Sequence, residues 1–492
     1  MARTHGLSKS RLTEWRQCPR RLWLKVHRPD LIETSVKTER AFQVGFAVGA
    51  VAQQQHPDGV LIETGNLRDD LRMTRELLAN RPDAPLFEAT FERNGLLVRV
   101  DLLLPERGGY RMVEVKAATS VKDYYLEDAA IQRWVVGQAV RLTGVEIAHV
   151  NNQFIYPGGE DYLGLLNRVS VDDRIEALGI DVPVWMAGAR KTLGGDEPTL
   201  PPVDQCKSPF ACPFIGHCNV GKPVTDYPIS AIPRISAEKI EHFEAQGIVD
   251  IRQIPDGTML TDNQARVWRI TQTGEPELLQ DARTALDALP WPRYYLDFET
   301  ASMPVPIWAG TRPYQKLPVQ WSCHVESQDG NLEHFSFLAE GHDDPRRSFA
   351  SRMVDVLGAD GPIFVYNRSF ELDRIKELAR DFQEIAEPLR AIASRVVDLM
   401  PLTRESYYHP DMLGSWSIKA VLPTIASDLD YSSMDVGDGG DAEASWLEIL
   451  HPETAEDRRA FLRKALADYC ALDTLAMVRL SRFLIGGADS QS

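Results

Sequence analysis

Acidic side chains recur at short spacing in the first half of the chain, beside a lysine. Asp101 precedes Glu114 and Lys116 in VRVDLLLPERGGYRMVEVKA, the order D…E-x-K. Glu114 and Lys116 share one face of a predicted strand, because strand side chains alternate. Two carboxylates there can bind a divalent cation through hard oxygen ligands. The Lys116 ammonium can orient a water and offset charge on a phosphate, so the trio predicts metal-dependent phosphodiester cleavage.

A second group of acidic residues lies in the other half of the chain, in the motifs YYLDFET, NRSFE and Y-x3-D. Carboxylates that converge repel one another unless cations lie between them. Two divalent cations that stabilise the attacking and leaving oxygens would remove this repulsion. With an ordinary pKa of ~10, the tyrosine is predicted to orient water by hydrogen bonding rather than to act as an ionised base. The group consists of Asp297, Glu299, Asn367, Glu371, Tyr469 and Asp473, with Asp398 as a reserve ligand or a structural cap.

Four cysteines flank the first acidic group. Cys18 stands alone, and Cys206, Cys212 and Cys218 follow together in QCKSPFACPFIGHC. In a reducing compartment, clustered cysteines indicate metal ligands rather than disulfides. The five-residue gaps differ from the C-x2-C spacing of zinc knuckles, and ligation by thiolates alone suits a cubane cluster. Zinc bound with His217 and unligated thiols are the alternatives.

The composition of the 492-residue chain indicates a soluble protein of two or more domains. No apolar run could span a bilayer and the start lacks the core of a signal peptide, so we expect a cytoplasmic protein without membrane contact. The net charge is −17, yet residues 1–30 contain eight Lys or Arg against two acidic residues, a local charge of +6. This basic stretch is either a solvated face or a surface that follows phosphates. Its candidate nucleic-acid contacts are Arg11, Arg16, Arg20 and Arg21, with Asn367 from the second half.

The elements that position these residues indicate two α/β domains. Residues 1–220 combine helical spacing around Cys18, a helix in ERAFQVGFAVGAVAQQ, a β-meander in which Asp101 ends a strand, a helix from Asp123 and a strand in HVNNQFIY. Residues 221–290 form a helical connector that resembles a helix-hairpin-helix or is a plain spacer. Residues 291–485 contain a hairpin at Gly330 and a long final helix. The acidic, glycine-rich loop MDVGDGGDAEAS is either a cation site or solvated, and residues 486–492 are predicted to be disordered.

The order Cys18, D…E-x-K, Gln132 and three later cysteines resembles the RecB-like nuclease family, in particular its CRISPR-associated and AddB-type members with an iron–sulfur cluster. The resemblance implies a restriction-endonuclease-like (PD-(D/E)xK) fold with a structural 4Fe–4S clasp. It also implies that Asp101 and Glu114 are metal ligands, Lys116 is catalytic, and Gln132 is a helical glutamine that many such nucleases keep. One metal-binding histidine of that family is missing here. Its expected position lies near Gly49, and His56 is out of register.

The D-x-E, N-x2-F-E and Y-x3-D motifs resemble the DEDD exonucleases of the ribonuclease H-like superfamily, in the tyrosine subclass. The second motif ends in Glu371 where most members have Asp. The whole order of motifs, with GSWSIKAVLPTIASDLDY, also resembles an uncharacterised bacterial family that fuses the two nuclease types. That resemblance supplies no biological role.

Together these features predict a DNA nuclease with two active sites, binding Mg2+ or Mn2+ and a 4Fe–4S cluster, that trims or degrades DNA ends or single strands in repair or anti-phage defence. Because the chain has no G-x4-G-K-[ST] motor motif, unwinding would need a helicase, a defence-complex partner or fraying ends. One alternative is a single-site exonuclease whose N-terminal half only holds DNA. Another is a nucleic-acid-binding scaffold without activity. The sequence leaves open DNA or RNA preference, polarity, oligomeric state and pathway.

Overall fold

A computed structural model describes residues 6–33, 36–200, 204–221, 224–432 and 434–486. The chain divides into two compact α/β units. One comprises Met1–Lys222 with Met303–Gln315, and the other comprises Pro223–Ser302 with Lys316–Ser492. The predicted connector, residues 221–290, clusters with the second unit from residue 224 onward, whereas Gly221 belongs to the first unit. Of the predicted tail, residues 486–492, Gly486 ends a helix and the rest lies outside the described residues. Across the described ranges, no helix combines the length and apolar character needed to cross a membrane.

The first unit is built around one seven-stranded sheet in the order β2-β3-β4-β5-β6-β7, with β1 parallel to β4. The antiparallel β3-β4-β5 run confirms the predicted meander. Its strands are β1 Leu7–Ser8, β2 Val60–Leu61, β3 Leu86–Arg93, β4 Leu96–Glu106, β5 Gly109–Lys116, β6 Leu142–Val150 and β7 Leu166–Ser170. Its helices are α1 Lys9–Gln17, α2 Pro19–His27, α3 Val36–Gln54, α4 Leu67–Asn80, α5 Asp123–Val136, α6 Asp172–Gly194 and α7 Ile215–Asn219.

Three local expectations for this unit were wrong. Asp101 lies in the middle of β4, because the strand continues through Glu106 in pairing with β5. Cys18 interrupts the predicted helical run with an extended backbone, φ −161° and ψ 119°. The residue before a proline avoids the helical region, and Pro19 then begins the next helix. The strand expected in HVNNQFIY ends at Val150.

The second unit has a five-stranded sheet in the order β11-β10-β9-β12-β13 and a small β14-β8 pair. In the larger sheet, β9, β10 and β11 are antiparallel, whereas β12 runs parallel to β9 and to β13. The strands are β8 Glu277–Leu278, β9 Arg293–Ala301, β10 Leu317–Glu326, β11 Leu332–Leu338, β12 Ile363–Val365, β13 Val396–Asp398 and β14 Tyr407–Tyr408. The helices are α8 Ala237–Ala245, α9 Asp262–Thr273, α10 Asp281–Asp287, α11 Arg346–Leu357, α12 Ser369–Asp381, α13 Ala386–Ser394, α14 Leu399–Ser406, α15 Ile418–Ile425, α16 Gly439–Leu450 and α17 Glu456–Gly486.

The central strand β9 and the long helix α17 position the second acidic group. Tyr295 and Leu296 are fully buried in β9 because the sheet is covered on both faces. Apolar residues of α17, such as Leu466 and Met477, are buried along the same unit. The hairpin between β10 and β11 confirms the predicted turn, in which Gly330 adopts φ +87°.

Candidate metal-binding active sites

The neighbouring strands β4 and β5 bring Asp101 and Glu114 together. Leu102 is paired with Val113, which sets the two acidic residues next to each other in the sheet. Asp101 Oδ2 accepts a hydrogen bond of 2.6 Å from the Val115 backbone. Glu114 is only 2% exposed. The Glu114 carboxylate is therefore buried next to Asp101 in the sheet.

Lys116 and Gln132 both contact Glu114. Lys116 Nζ lies 2.8 Å from Glu114 Oε1 and 2.8 Å from Asp128 Oδ2. The buried Gln132 amide of α5 donates to Glu114 Oε2 through Nε2. Its other side-chain atom, Oε1, is buried and has no hydrogen-bond partner. These four predicted residues form one cluster.

Three further residues complete this cluster, and sequence reasoning missed them. Lys9, at the start of α1, places Nζ 2.6 Å from Glu114 Oε1. Asp128 lies one helical turn before Gln132 on α5, a spacing that could have indicated it. Glu88 of β3 adopts a left-handed backbone, φ +55°, at the point where the β3–β4 register skips Asp101. Left-handed backbone in a non-glycine residue is strained and clusters at functional sites.

Burial and charge separate the protonation behaviour of the two carboxylates. Burial raises the pKa of Asp101 to about 7, and the Glu114 charge acts in the same direction. Burial also disfavours ionised Glu114, but Lys116 and Lys9 outweigh this and lower its pKa to about 2. Burial opposes the charge of Lys116 as well, yet Glu114 and Asp128 raise its pKa above the usual value. The cluster therefore holds a permanent anion beside an acid that titrates near neutrality.

The cluster fits a divalent cation, although the expected histidine is missing. The unpartnered Gln132 Oε1 is a buried oxygen that a bound cation or its water would satisfy. At Gly49 on α3 a side chain would meet no atom within 4 Å, so space remains where that histidine would project. His56 has its pKa lowered by burial and by Arg168, which places it beside Arg168. Candidate cation ligands are thus Asp101 and Glu114.

The four cysteines come together although Cys18 is far from the others in sequence. Burial raises the pKa of the Cys212 thiol, and Cys206 and Cys218 act in the same direction. Burial also raises the pKa of the Cys218 thiol, and there Cys206 and Cys18 act in the same direction. Gln17 fixes this arrangement by donating hydrogen bonds of 2.7 Å to the carbonyls of Gln205 and Phe210. The structure thus joins the two ends of the first unit at the cysteines.

The sulfur atoms are spread more widely than a single zinc ion requires. Among the described residues, no three cysteine sulfurs lie within 4.8 Å of one another. Tetrahedral zinc with bonds of ~2.3 Å would hold them ~3.8 Å apart. His217 Nε2 lies 3.0 Å from Glu197 Oε1 and is engaged there.

The basic residues near the N-terminus are largely engaged in ion pairs. Arg16 pairs with Glu127 at 2.7 Å, and Arg20 pairs with Glu197 at 2.6 Å. Arg21 pairs with Glu14. Arg11 donates a hydrogen bond of 2.5 Å to the Gly6 carbonyl. The local charge of +6 in the sequence is therefore partly offset by Glu127 and Glu197, which the fold brings to Arg16 and Arg20.

In the second unit, Asp297, Glu299 and Asp473 form a compact carboxylate group. One ligand oxygen of each residue lies within 4.8 Å of the others, the only such group of three acidic, histidine or cysteine residues in the described ranges. Asp297 and Glu299 project from one face of β9, and Asp473 projects from α17. The convergence of two predicted motifs, 174 residues apart, is a property of the tertiary structure.

A lysine and two tyrosines surround this carboxylate group. Tyr431 donates a hydrogen bond of 2.7 Å to Asp473 Oδ1, and the predicted Tyr469 hydroxyl also bonds to Asp473. Lys419 Nζ lies 3.0 Å from the Tyr469 oxygen and 4.8 Å from the centroid of its ring. Burial and Asp473 raise the pKa of Tyr469, so its hydroxyl stays protonated. Lys419 and Tyr431 were not predicted, although both lie in or beside the stretch GSWSIKAVLPTIASDLDY.

Glu371 stands near the group without joining it. It is 2% exposed, and its Oε2 atom is buried with no hydrogen-bond partner. Its charge helps to raise the pKa of Asp297, after burial, Asp473 and Glu299. A buried oxygen without a partner fits a cation ligand. The longer Glu side chain, in place of Asp, is consistent with its position outside the compact trio.

Asn367 and Asp398 shape the turn that leads to Glu371. Asn367 adopts φ +77°, a conformation that asparagine tolerates, and its side-chain oxygen accepts a hydrogen bond of 3.0 Å from Ser369. Asp398 accepts hydrogen bonds of 3.0 Å from the backbones of Asn367, Arg368 and Met400. It therefore acts as a structural cap of α14, the second of the roles considered for it.

Burial of several carboxylates raises their pKa values in this unit. Burial, reinforced by Asp473, raises the pKa of Glu299 to about 8, with Lys419 partly opposing. Burial raises the pKa of Glu371 to about 8 as well. Burial, followed by the charges of Asp473 and Glu299, raises the pKa of Asp297 well above its usual value. Clustered carboxylates of this kind are stabilised when a cation replaces their protons.

The acidic, glycine-rich loop contributes to this site. Asp438 caps α16 and helps raise the pKa of Glu299. A Cβ atom on Gly439 would lie 3.4 Å from Glu299 Oε2, so the backbone approaches the carboxylate closely. Of the two alternatives considered for this loop, full solvation therefore does not hold at Asp438 and Gly439.

Comparison with protein families and relatives gives limited matches. Residues 294–417 match a domain of unknown function, DUF2779. The chain is 23% identical over 215 residues to the uncharacterized protein UU173 of Ureaplasma parvum serovar 3, covering 39% of this chain and 31% of that protein. The match thus spans less than a third of the relative's length.

Two solved structures show low similarity. The family B DNA polymerase of the hyperthermophilic archaeon Pyrobaculum calidifontis is 17% identical, with 40% of this chain and 27% of that chain covered and a TM-score of 0.24. The protein SSO0001 is 13% identical, with 36% of this chain and 75% of that chain covered and a TM-score of 0.18. Similarity at this level carries no argument about fold or function.

Proposed function

We propose that this protein is a metal-dependent nuclease with one active site in each unit, acting on DNA ends or single strands. The observation that carries the proposal is the convergence of Asp297, Glu299 and Asp473 beside a protonated Tyr469. Three clustered carboxylates with raised pKa values, one buried and two partly buried, are unfavourable unless cations bind them. Such a group beside a hydrogen-bond donor is suited to phosphodiester hydrolysis.

In the second unit, Asp297, Glu299, Asp473 and the outlying Glu371 would hold Mg2+ or Mn2+. Bound divalent cations supply charge neutralisation and activate water for attack on phosphorus. Tyr469 keeps its proton and orients the attacking water through its hydroxyl. Lys419 fixes that hydroxyl at 3.0 Å. Tyr431 holds Asp473 in place. We assign this unit the ribonuclease H-like exonuclease fold, supported by its mixed sheet with β9 at the centre.

In the first unit, Asp101 and Glu114 would hold the cation, and Lys116 would offset the charge that develops on the phosphate. Gln132 orients Glu114 through its amide and keeps Oε1 available. We assign this unit the restriction-endonuclease-like fold, supported by the acidic pair on antiparallel β4 and β5.

We further propose that Cys18, Cys206, Cys212 and Cys218 bind a structural 4Fe–4S cluster. Supporting this are the proximity of the four thiols and sulfur spacing wider than a zinc ion needs. The cluster would clasp the first and last segments of the first unit. We assign this cluster a structural role rather than one in electron transfer.

A single-site exonuclease is the alternative favoured by one observation. Lys9 and Lys116 both occupy the oxygen of Glu114 that a cation would need. In that reading the first unit only holds nucleic acid.

The decisive experiment is a panel of DNA and RNA substrates with either end labelled, incubated with Mg2+ or Mn2+. Wild type should be compared with Glu299→Gln, Lys116→Ala and the double variant. Two active sites predict that each single variant loses a different product pattern and that the double variant is inactive. Metal-dependent binding without any cleavage by the wild type would instead support a scaffold.

A further inference from the structure

Lys9 makes the shorter of the two lysine contacts to Glu114, the buried acid of the first unit. Its Nζ lies 2.6 Å from Glu114 Oε1, the oxygen that also accepts from Lys116 at 2.8 Å. The Lys9 side chain is 20% exposed, whereas that of Glu114 is 2% exposed. Two ammonium groups on one buried carboxylate oxygen exceed what is needed to neutralise it.

The fold holds Lys9 in this position through its backbone. β1 runs parallel to β4, with Leu7 opposite Leu96 and Ser8 opposite Leu97. Ser8 then caps α1 by accepting a hydrogen bond of 3.2 Å from the Arg11 backbone. Lys9 is the first residue of that helix, so its Cα position is fixed while its four-carbon side chain keeps freedom to move.

The charge balance of the cluster shows what Lys9 does to a divalent cation. Four carboxylates, when ionised, face two ammonium groups, which leaves a net charge of −2. Removing Lys9 makes the cluster more negative and leaves Glu114 Oε1 with one ammonium contact, from Lys116, instead of two. Lys9 and a divalent cation therefore compete for one oxygen. The carboxylates are Glu88, Asp101, Glu114 and Asp128, and the ammonium groups are Lys9 and Lys116.

We propose that Lys9 couples cation binding at the first site to nucleic-acid binding. Without nucleic acid, the Lys9 ammonium occupies Glu114 and weakens cation binding. A backbone phosphate that enters the site attracts this ammonium, so Lys9 moves to the phosphate and the cation takes its place at Oε1 beside Lys116. Lys9 is thus a positioning residue that keeps the site poorly loaded until substrate arrives. The inference rests on the proposed nuclease function of the first unit.

Linkage makes this proposal measurable without any cleavage assay, since nucleic acid and cation must then tighten each other's binding by the same factor. The test uses the full chain carrying Glu299→Gln and Asp473→Asn, so that the second site does not contribute. Free Mn2+ is measured by electron paramagnetic resonance, with and without a phosphorothioate oligodeoxynucleotide. In this background the oligonucleotide should tighten Mn2+ binding about tenfold.

Without oligonucleotide, adding Lys9→Met to this background should tighten Mn2+ binding about tenfold. The oligonucleotide should then tighten Mn2+ binding of this variant only slightly further. Lys9→Arg retains the charge and should behave like the background. Lys122→Met is the matched control, since Lys122 is exposed and lies 5.8 Å from the ring centroid of Tyr124. Circular dichroism melts identify any variant that fails to fold, in which case Lys9→Gln replaces Lys9→Met.

The two possible failures are distinguishable. If Glu114→Gln lowers Mn2+ binding but Lys9→Met leaves it unchanged, the role of Lys9 is wrong and the metal site stands. If Glu114→Gln also changes nothing, the first unit has no metal site there, and both the proposed function of that unit and this inference fail.

Discussion

The Lys419 ammonium donates a hydrogen bond of 3.0 Å to the Tyr469 hydroxyl oxygen and another of 2.6 Å to the Gly437 carbonyl. Because Tyr469 accepts from Lys419, its own proton is free to point toward Asp473 or toward a water. The lysine therefore sets the direction in which the tyrosine donates. This explains how a tyrosine with a raised pKa can serve the chemistry without ionising.

Tyr469→Phe should reduce exonucleolytic release by about tenfold, the equivalent of one hydrogen bond, because the cation ligands remain. Lys419→Met should reduce the rate similarly, and the double variant should be little worse than either single variant, since both act through one hydroxyl. Initial rates of mononucleotide release measure this. Fully additive losses would show that Lys419 acts independently of Tyr469.

Glu299→Gln keeps the side-chain size but weakens a cation ligand of the compact trio. We expect release of mononucleotides to fall at least about a thousandfold, because several kcal/mol of transition-state stabilisation depend on the bound cations. The matched control is Glu333→Gln on the exposed face of β11, which should retain the wild-type rate. Full activity in Glu299→Gln would remove the second unit from the chemistry.

Lys116→Ala and Asp101→Asn should each abolish cleavage by the first unit while leaving mononucleotide release by the second unit nearly unchanged. The lysine supplies charge to the phosphate, and the aspartate supplies a cation ligand. Product patterns from internally and terminally labelled DNA measure the separation. Loss of all cleavage in Lys116→Ala and also in Glu299→Gln would indicate one composite activity.

Anaerobically purified protein should be brown and contain about four irons per chain. Cys18→Ala should lower the iron content and the melting temperature of the first unit, because losing a ligand removes metal-linked folding energy. Cys323→Ala, a buried cysteine of the other unit, should keep the iron. Stoichiometric zinc without iron in undamaged wild type would contradict the assignment.

Cation binding by the second unit should strengthen as the pH rises toward about 8, because the pKa values of Glu299 and Glu371 are raised to about 8 and their protons must leave first. Calorimetry in buffers of different ionisation enthalpy should detect proton release on Mg2+ binding. Glu299→Gln should release fewer protons than wild type.

The same shifts predict how stability depends on pH. A carboxylate with a folded pKa above its unfolded value binds more protons when folded, so its effect on the free energy of unfolding becomes less favourable as the pH rises toward about 8. Metal-free protein should therefore melt at lower temperature above that pH, and Mg2+ should reverse the loss. Melting curves with EDTA and with Mg2+ measure both effects.

The local elements were largely predictable from the sequence. The alternation around Asp101 and Glu114, the Gly330 hairpin and the helical spacing of Tyr469 and Asp473 all depend on neighbours in sequence, and the structure confirms these elements. The break at Cys18 was missed, although Pro19 is a local signal for it.

What the sequence by itself determined was which residue types could bind a cation and which faces of their strands and helices they occupy, because those properties depend on side-chain chemistry and local periodicity. The tertiary structure alone decided that Lys9 reaches Glu114, 105 positions away, and that Lys419 reaches Tyr469, 50 positions away. It also decided that Arg16 and Arg20 form ion pairs with Glu127 and Glu197. Charge–charge contacts act through space, so their partners depend on how the chain packs. Such contacts produce no periodic pattern in the sequence from which they could be predicted.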